Sequence, residues 1–230
     1  MNNPQARSLA QPKSAGANRQ PTMPEVSAVI LAGGRSRRLG VDKALLKLDG
    51  EWLLERIANA LASLSDDLLV VVDDRDKLGH LGLRTVADAR PGLGPLGGIY
   101  SGLQAMRHER GLFVACDMPL LNAGLLRYMV SLSSDFDVVI PRIGDNVEPL
   151  HAVYSKVCAM PVADLLEQGD LRIVHFFSQV RVRYVEQTEI DAYDPQHWSF
   201  FNINTADDLE RARQLIHRQR GSRSGQGADQ

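Results

Sequence analysis

Cysteine is almost absent from this chain: of 230 residues, only Cys116 and Cys158 carry a thiol, far apart and without a C-x-x-C pairing. That argues against a disulfide framework and a zinc site, and it suits a reduced, cytoplasmic setting. Aromatic residues are also few, at 6%, so Trp52 and Trp198 are expected to be packing residues rather than stacking platforms. Long apolar runs are missing, and nothing approaches the roughly 20 residues needed to span a bilayer. Neither charge dominates, with 26 Lys plus Arg against 28 Asp plus Glu, so there is no global basic field for nonspecific nucleic-acid binding. No nucleic acid and no membrane are therefore expected as partners. No internal repeat and no dividing linker is visible.

The first 22 residues, rich in Asn, Gln, Pro, Ala and Ser, lack the apolar core of a secretory signal. They read as a disordered leader over 1–22. A polar, glycine-rich tail is expected over 219–230. One domain, 23–218, is left between them, long enough to bury a proper core.

The rest of the chain is organised around residues 28–43, AVILAGGRSRRLGVDK. The apolar run Val26 to Leu31 reads as a buried strand that stops at Gly33-Gly34. Glycines let the main chain approach a ligand, and successive N–H groups in such a turn form a concavity suited to phosphate oxygens. Arg35, Arg37, Arg38 and Lys43 add four cations within nine residues. A nucleoside triphosphate is the simplest ligand for that combination. Two better-known phosphate loops are excluded: Gly40 is followed by Val-Asp-Lys-Ala rather than Lys-Ser/Thr, and no G-x-G-x-x-G follows the strand.

Further along, a two-way alternation appears. Ala44–Leu48 reads as a short extended piece before an Asp49-Gly50 turn, then a helix over Trp52–Leu64 with one apolar face. Strands are expected at Leu68–Val72, ending in Asp73-Asp74, and at Leu83–Ala87, ending at Asp88. Pro91 to Gly98 reads as a rigid loop feeding a helix from about Ile99 to Met106, whose start would favour an anion or acceptor edge. Leu112–Ala115 is a strand running into Cys116-Asp117-Met118-Pro119, with Cys116 a small buried residue rather than a nucleophile. A helix at Ala123–Leu132 and a strand at Asp137–Ile140 follow. Ala152–Tyr154 is a strand after Glu148-Pro149-Leu150-His151, then comes a helix broken near Pro161 and continuing to Gln168. Val180–Val185 suits an edge strand, and Phe200–Thr205 precedes a final helix with Asn204 as N-cap.

Such alternation implies an α/β fold: a three-layer, mostly parallel, Rossmann-like sheet with helices on both faces. Ligands bind beyond the carboxyl ends of the strands where strand order reverses. Gly33, Gly34, Asp73, Asp88 and Asp117 all fall at such ends.

The opening loop resembles that of nucleotidyltransferases, and the reaction this implies needs the attacking oxygen and the departing pyrophosphate in line at the α-phosphorus, with the developing charge neutralised. Mg²⁺ suits the task, held by one or two carboxylates plus phosphates and waters, and Asp117 is the leading candidate ligand. Its competing role is a cap for the helix after Pro119. Lys43 and Arg38 would hold the phosphates and stabilise the leaving pyrophosphate, with Gly33 and Gly34 admitting the nucleotide against the main chain. Nothing resembles a Ser-His-Asp or Cys-His constellation. His151 lacks the companions of a metal site and is either structural or a substrate contact.

The pattern L-A-G-G-x-S-x-R-L-G-x-D-K resembles the signature of nucleotidyltransferases, particularly the molybdenum cofactor guanylyltransferases. The resemblance runs from about Val26 to Ile216 through five ordered blocks. These are the opening loop, the acid after the third strand, Gly94-Pro95-Leu96-Gly97-Gly98, Cys116-Asp117-Met118-Pro119 and Phe201-Asn202-Ile203-Asn204-Thr205. It implies GMP transfer from GTP to the terminal phosphate of molybdopterin, with Mg²⁺, and delivery to recipient molybdoenzymes or their chaperones. It further implies that Leu31, Ala32, Gly33, Lys43, Asp73, Asp88 and Asp117 are GTP and Mg²⁺ positions. Arg38, Gly40, Gly94 and Gly98 fall in the nucleotide crevice, and Asn202 and Asn204 on the pterin side. Asp73 departs from the Asn often found at its position. Cytidylyl transfer to molybdopterin, transfer to a sugar or polyol phosphate, and a noncatalytic molybdopterin carrier are the alternatives.

Overall fold

In a computed structural model of the chain, the described residues are 24–33, 43–74, 78 and 81–225. Strand β1 (Ser27–Leu31) has every residue buried. A short hairpin of β2 (Lys47–Leu48) and β3 (Glu51–Trp52) leads into helix α1 (Leu53–Leu61), which buries Leu53, Leu54, Ile57, Ala58 and Leu61 on one face. Strands β4 (Asp67–Val72) and β5 (Thr85–Ala87) precede α2 (Gly94–Ala105) and β6 (Arg110–Ala115). Next come α3 (Ala123–Leu132), β7 (Val138–Ile143), β8 (Asn146–Val147) and β9 (His151–Ser155). The chain continues through α4 (Ala159–Glu167), β10 (Val182–Glu186), α5 (Gln187–Asp191) and α6 (Ala206–Gly225).

The main sheet runs in the order β10-β7-β9-β6-β1-β4-β5, with β8 paired to β7. All neighbours are parallel except β9, which is antiparallel to both β6 and β7, and β8, antiparallel to β7. Alternation along β1 sends Ala28 and Ile30 to one face and Val29 and Leu31 to the other. The first pair packs in a core with α1, α3 and α6, and the second packs with α2 and α4. Burial on both faces explains why these strands read as nearly continuous apolar runs. Strand order reverses at β1, between β4 and β6. The expected three-layer, mostly parallel architecture is therefore the observed one.

Several local expectations change. Lys43–Leu45 is a 3-10 turn rather than extended chain, and only Lys47–Leu48 pairs as a strand. Helix α2 begins at Gly94, so the Gly94–Gly98 block is its first turn and not a loop before it. Pro95 sits at the start, where its missing N–H has no intrahelical partner to lose. The same reasoning covers Pro161, the third residue of α4, which does not break that helix. Strand β10 does lie at the sheet edge, pairing only with β7. Ahead of it, a 3-10 helix at Ile173–Gln179 that the periodicity did not suggest buries Phe176 and Phe177. Helix α6 runs to Gly225, past the tail boundary expected at 219, because neither proline nor a left-handed glycine stops it there. No helix among the described residues is long and apolar enough to cross a membrane.

Candidate active site

The carboxyl ends of β1 and β6 meet at the strand-order reversal. Cys116 donates its N–H to the Leu31 carbonyl at 3.0 Å, and Ala32 donates to Val71 at 2.8 Å, so the chain stays ordered just past both strands. Cys116 is buried, as expected of a small apolar-context residue, and neither cysteine forms a disulfide among the described residues. Met118 N–H then turns back to the Ala115 carbonyl, and Arg56 Nε donates to the Pro119 carbonyl at 3.1 Å. These contacts hold Asp117 at the tip of β6.

Lys43 reaches this tip from the 3-10 turn after the opening loop. Its Nζ lies 2.5 Å from Asp117 Oδ2 and donates to Asn204 Oδ1 at 2.7 Å. The lysine and aspartate side chains are about one-sixth exposed, at 17% and 16%, so their pairing is little weakened by solvent. Asp117 Oδ1, by contrast, is buried and has no hydrogen-bond partner among the described residues. The Asp117 carbonyl accepts from Ile203 N–H at 2.9 Å, which ties the Phe201–Thr205 segment to the same tip.

Asn204 is free to make this contact because it is not the N-cap. Helix α6 starts at Ala206, and Thr205 and Asp208 form a reciprocal cap. Asp208 Oδ2 accepts from the N–H groups of Asn204 and Thr205 and from the Thr205 hydroxyl, while Thr205 Oγ1 accepts from Asp208 N–H. Asn202 does not join the cluster through its side-chain donor, which goes to the Phe200 carbonyl at 3.2 Å.

On the other flank of β1, Asp73 and Asp88 follow β4 and β5. A Cβ placed on Gly33 would come within 2.9 Å of Asp73 Oδ1, so glycine is what lets these two strand ends approach. Ser101 Oγ, a small polar group in the otherwise apolar α2, donates to Asp88 Oδ1 at 2.7 Å and accepts from Ala89 N–H at 2.8 Å. Arg90 N–H also donates to Asp88 Oδ1. A Cβ on Gly98 would lie 3.3 Å from Leu31, which places the first turn of α2 against the end of β1. Gly94, with φ of +65°, opens that helix.

The expected site residues thus fall into two patches joined by Leu31, Ala32 and Gly33: Asp73, Asp88, Gly94 and Gly98 on one side, Lys43, Asp117 and Asn204 on the other. Gly34, Arg38 and Gly40, with Arg35 and Arg37, lie outside the described residues. Sequence reasoning missed Ser101, whose signal was a serine inside an apolar helix, and the Thr205–Asp208 cap, whose signal was the T-A-D-D spacing.

Residues 28–182 match the model of the MobA-like NTP transferase domain. The chain belongs to this family. A "probable molybdenum cofactor guanylyltransferase" of Pelotomaculum thermopropionicum is 38% identical to the chain over 201 residues, covering 87% of the chain and 98% of the relative. A "molybdenum cofactor guanylyltransferase" of Desulfosudis oleivorans is 36% identical, with 84% and 97% covered. Among solved structures, molybdopterin-guanine dinucleotide biosynthesis protein A of Archaeoglobus fulgidus superposes with a TM-score of 0.74 at 27% identity, covering 84% of the chain and all of that protein. Family membership makes the chain a nucleotidyltransferase.

Proposed function

We propose that the protein transfers GMP from GTP to the terminal phosphate of molybdopterin, releasing pyrophosphate. The observation that carries this reading is the convergence of Lys43, Asp117 and Asn204 at the point where strand order reverses. It brings the residue closing the triphosphate loop, an acid at a strand tip and the Asn-Ile-Asn-Thr segment into one hydrogen-bonded group. The named relatives support guanylyl transfer to molybdopterin.

In this reading the acceptor phosphate oxygen attacks the α-phosphorus while the bond from that phosphorus to the bridging oxygen breaks, and the electron pair leaves with pyrophosphate. No side-chain nucleophile is required. The main chain of Leu31, Ala32, Gly33 and Gly34 cradles the phosphates, and Lys43 and Arg38 neutralise charge on the departing group. Asp73, Asp88, Gly94 and Gly98 line the nucleotide crevice, where the start of α2 favours an acceptor atom of the base. Asn202 and Asn204 face the pterin.

The residues present also fit Mg²⁺. A buried carboxylate oxygen without a partner is a hard donor waiting for a cation, and Mg²⁺ is commonly held by one or two carboxylates plus substrate phosphates. Asp117 would hold it, and the ion would neutralise charge on the triphosphate. Lys43 would then exchange Asp117 for phosphate oxygens. The product would pass to molybdoenzymes that take the guanine dinucleotide form of the cofactor, or to their chaperones.

The test is mass spectrometry of products after incubating purified protein and Mg²⁺ with molybdate-loaded molybdopterin and either GTP or CTP. A guanylylated pterin with pyrophosphate is expected. A cytidylylated product alone would reassign the base, for which Asp73 is the residue to examine. Bound pterin with no product from either nucleotide would favour a carrier.

A further inference from the structure

Strand order divides the crevice into two sides. Asp73 and Asp88 follow β4 and β5 on one flank of β1, so a base held there leaves the β6-β9-β7 flank, beyond Asp117, to the acceptor. Because β9 is antiparallel to β6, its first residues rather than its last lie at this edge. The turn Glu148-Pro149-Leu150 leads into it. Ala115 N–H donates to the Leu150 carbonyl at 2.9 Å, which pins that turn beside the strand end that carries Asp117. Glu148 N–H donates to the Pro141 carbonyl, His151 N–H to the Glu148 carbonyl and Tyr154 Oη to the Pro149 carbonyl at 2.8 Å.

The main chain of the turn is well satisfied; its side chains are not. Glu148 is half-buried, and its carboxylate has no hydrogen-bond or ion-pair partner among the described residues. Burial alone holds its pKa above the ordinary value. His151 is fully buried, its Nδ1 and Nε2 have no partner among the described residues, and its ring lies 5.0 Å from that of Phe200. Phe200 belongs to the segment that continues into Asn202 and Asn204. Unpartnered polar groups at such density are costly unless a ligand, ion or water answers them.

A carboxylate offers two acceptor oxygens in one plane, the complement of two adjacent N–H donors. A pterin ring presents such a pair, its 2-amino group and the neighbouring ring N–H. We infer that Glu148 is the specificity-determining residue on the acceptor side, taking these two pterin donors as a paired hydrogen bond, with Phe200 and His151 forming the wall behind it. This assignment rests on the acceptor being a pterin, as proposed above.

The test uses the full chain and two probes: a 6-hydroxymethylpterin phosphate and its lumazine counterpart, in which a carbonyl replaces the 2-amino group. Binding is measured by calorimetry, and MgGTP is titrated in parallel. Wild-type protein is expected to prefer the pterin by about 10- to 100-fold. Glu148→Gln should reduce that preference to about threefold or less while binding MgGTP as wild type does, which also shows that the variant is folded. A variant that still discriminates like wild type would overturn the assignment and leave the pterin reading standing. Wild-type protein that binds MgGTP but neither probe, and no molybdopterin, would overturn both.

Discussion

Two aspartates stand at opposite ends of the strands around β1, and their surroundings could hardly differ more. Asp67, at the amino end of β4, is completely buried, yet both oxygens are answered. It accepts from Ser27 Oγ at 2.6 Å, Arg107 N–H at 2.8 Å and Arg84 at 2.6 Å, with Arg107 Nε 3.1 Å away. Burial pushes its pKa up, but the Ser27 bond, the Arg107 N–H and the two guanidinium charges outweigh that, leaving it below the ordinary value. Asp117, past the carboxyl end of β6, pairs one oxygen with Lys43 and leaves the other buried and unanswered among the described residues. A fully satisfied buried acid fastens a fold together, whereas a partly satisfied one holds capacity in reserve. The amino edge is structural for that reason, and the chemistry proposed above falls at the carboxyl edge.

The sharpest way to break this contrast is to neutralise each acid in turn. Asp117→Asn should lower kcat/KM for nucleotidyl transfer by about 10³-fold. Its unfolding free energy should change by no more than about 1 kcal/mol, because the change removes a partly answered buried charge along with the ion pair. Lys43→Met should cost about 10²-fold in the same assay. It should also weaken MgGTP binding, measured by calorimetry, more than it alters urea unfolding. For Asp67→Asn the pattern should invert. A loss of about 3 kcal/mol in urea unfolding is expected, with turnover per folded molecule close to wild type. Equal stability losses at the two ends would remove the distinction.

The smallest expected effect concerns pH. Burial holds the His151 imidazole neutral down to about 3, against an ordinary value of 6.5. Between those values the unfolded chain takes up a proton that the folded one refuses, so stability falls as pH drops below 6.5. The slope from this one group approaches about 1.4 kcal/mol per pH unit. Glu148, raised by burial, contributes in the opposite sense, since its ionisation above 4.5 is disfavoured in the folded state. His151→Leu should therefore flatten the decline between pH 6.5 and 4.5 in urea titrations. An unchanged slope would mean that the imidazole is hydrated.

Much of this fold was legible because buried strands between Gly, Pro and Asp leave a clear pattern. Helix α3 was read to the residue, with Asn122 Oδ1 accepting from the Gly124 and Leu125 N–H groups at its start. Helix α2 was read five residues short, since Gly-Pro-Leu-Gly-Gly has loop composition. It is helical because Gly97 and Gly98 are buried against neighbouring chain, which tertiary packing rewards and propensity does not. Asn204 was taken for a cap because Asn and Thr cap comparably well, and only the reach to Asp208 favours Thr205. The members of the Lys43–Asp117–Asn204 group were legible as residue types at strand and helix ends. Lys43 lies 74 positions from Asp117 and 161 from Asn204, so their contact was not. Asp67 left no signal at all, because an acid before a strand reads as a turn residue.

The separation of 161 positions between Lys43 and Asn204 also bears on how the enzyme comes into being. During synthesis Lys43 emerges first, and its amide partner follows 161 residues later. A chain lacking Asn204 would keep the direct Lys43–Asp117 pair but lose the amide oxygen that holds the lysine from its other side. The full Lys43–Asp117–Asn204 group therefore depends on the segment just ahead of α6.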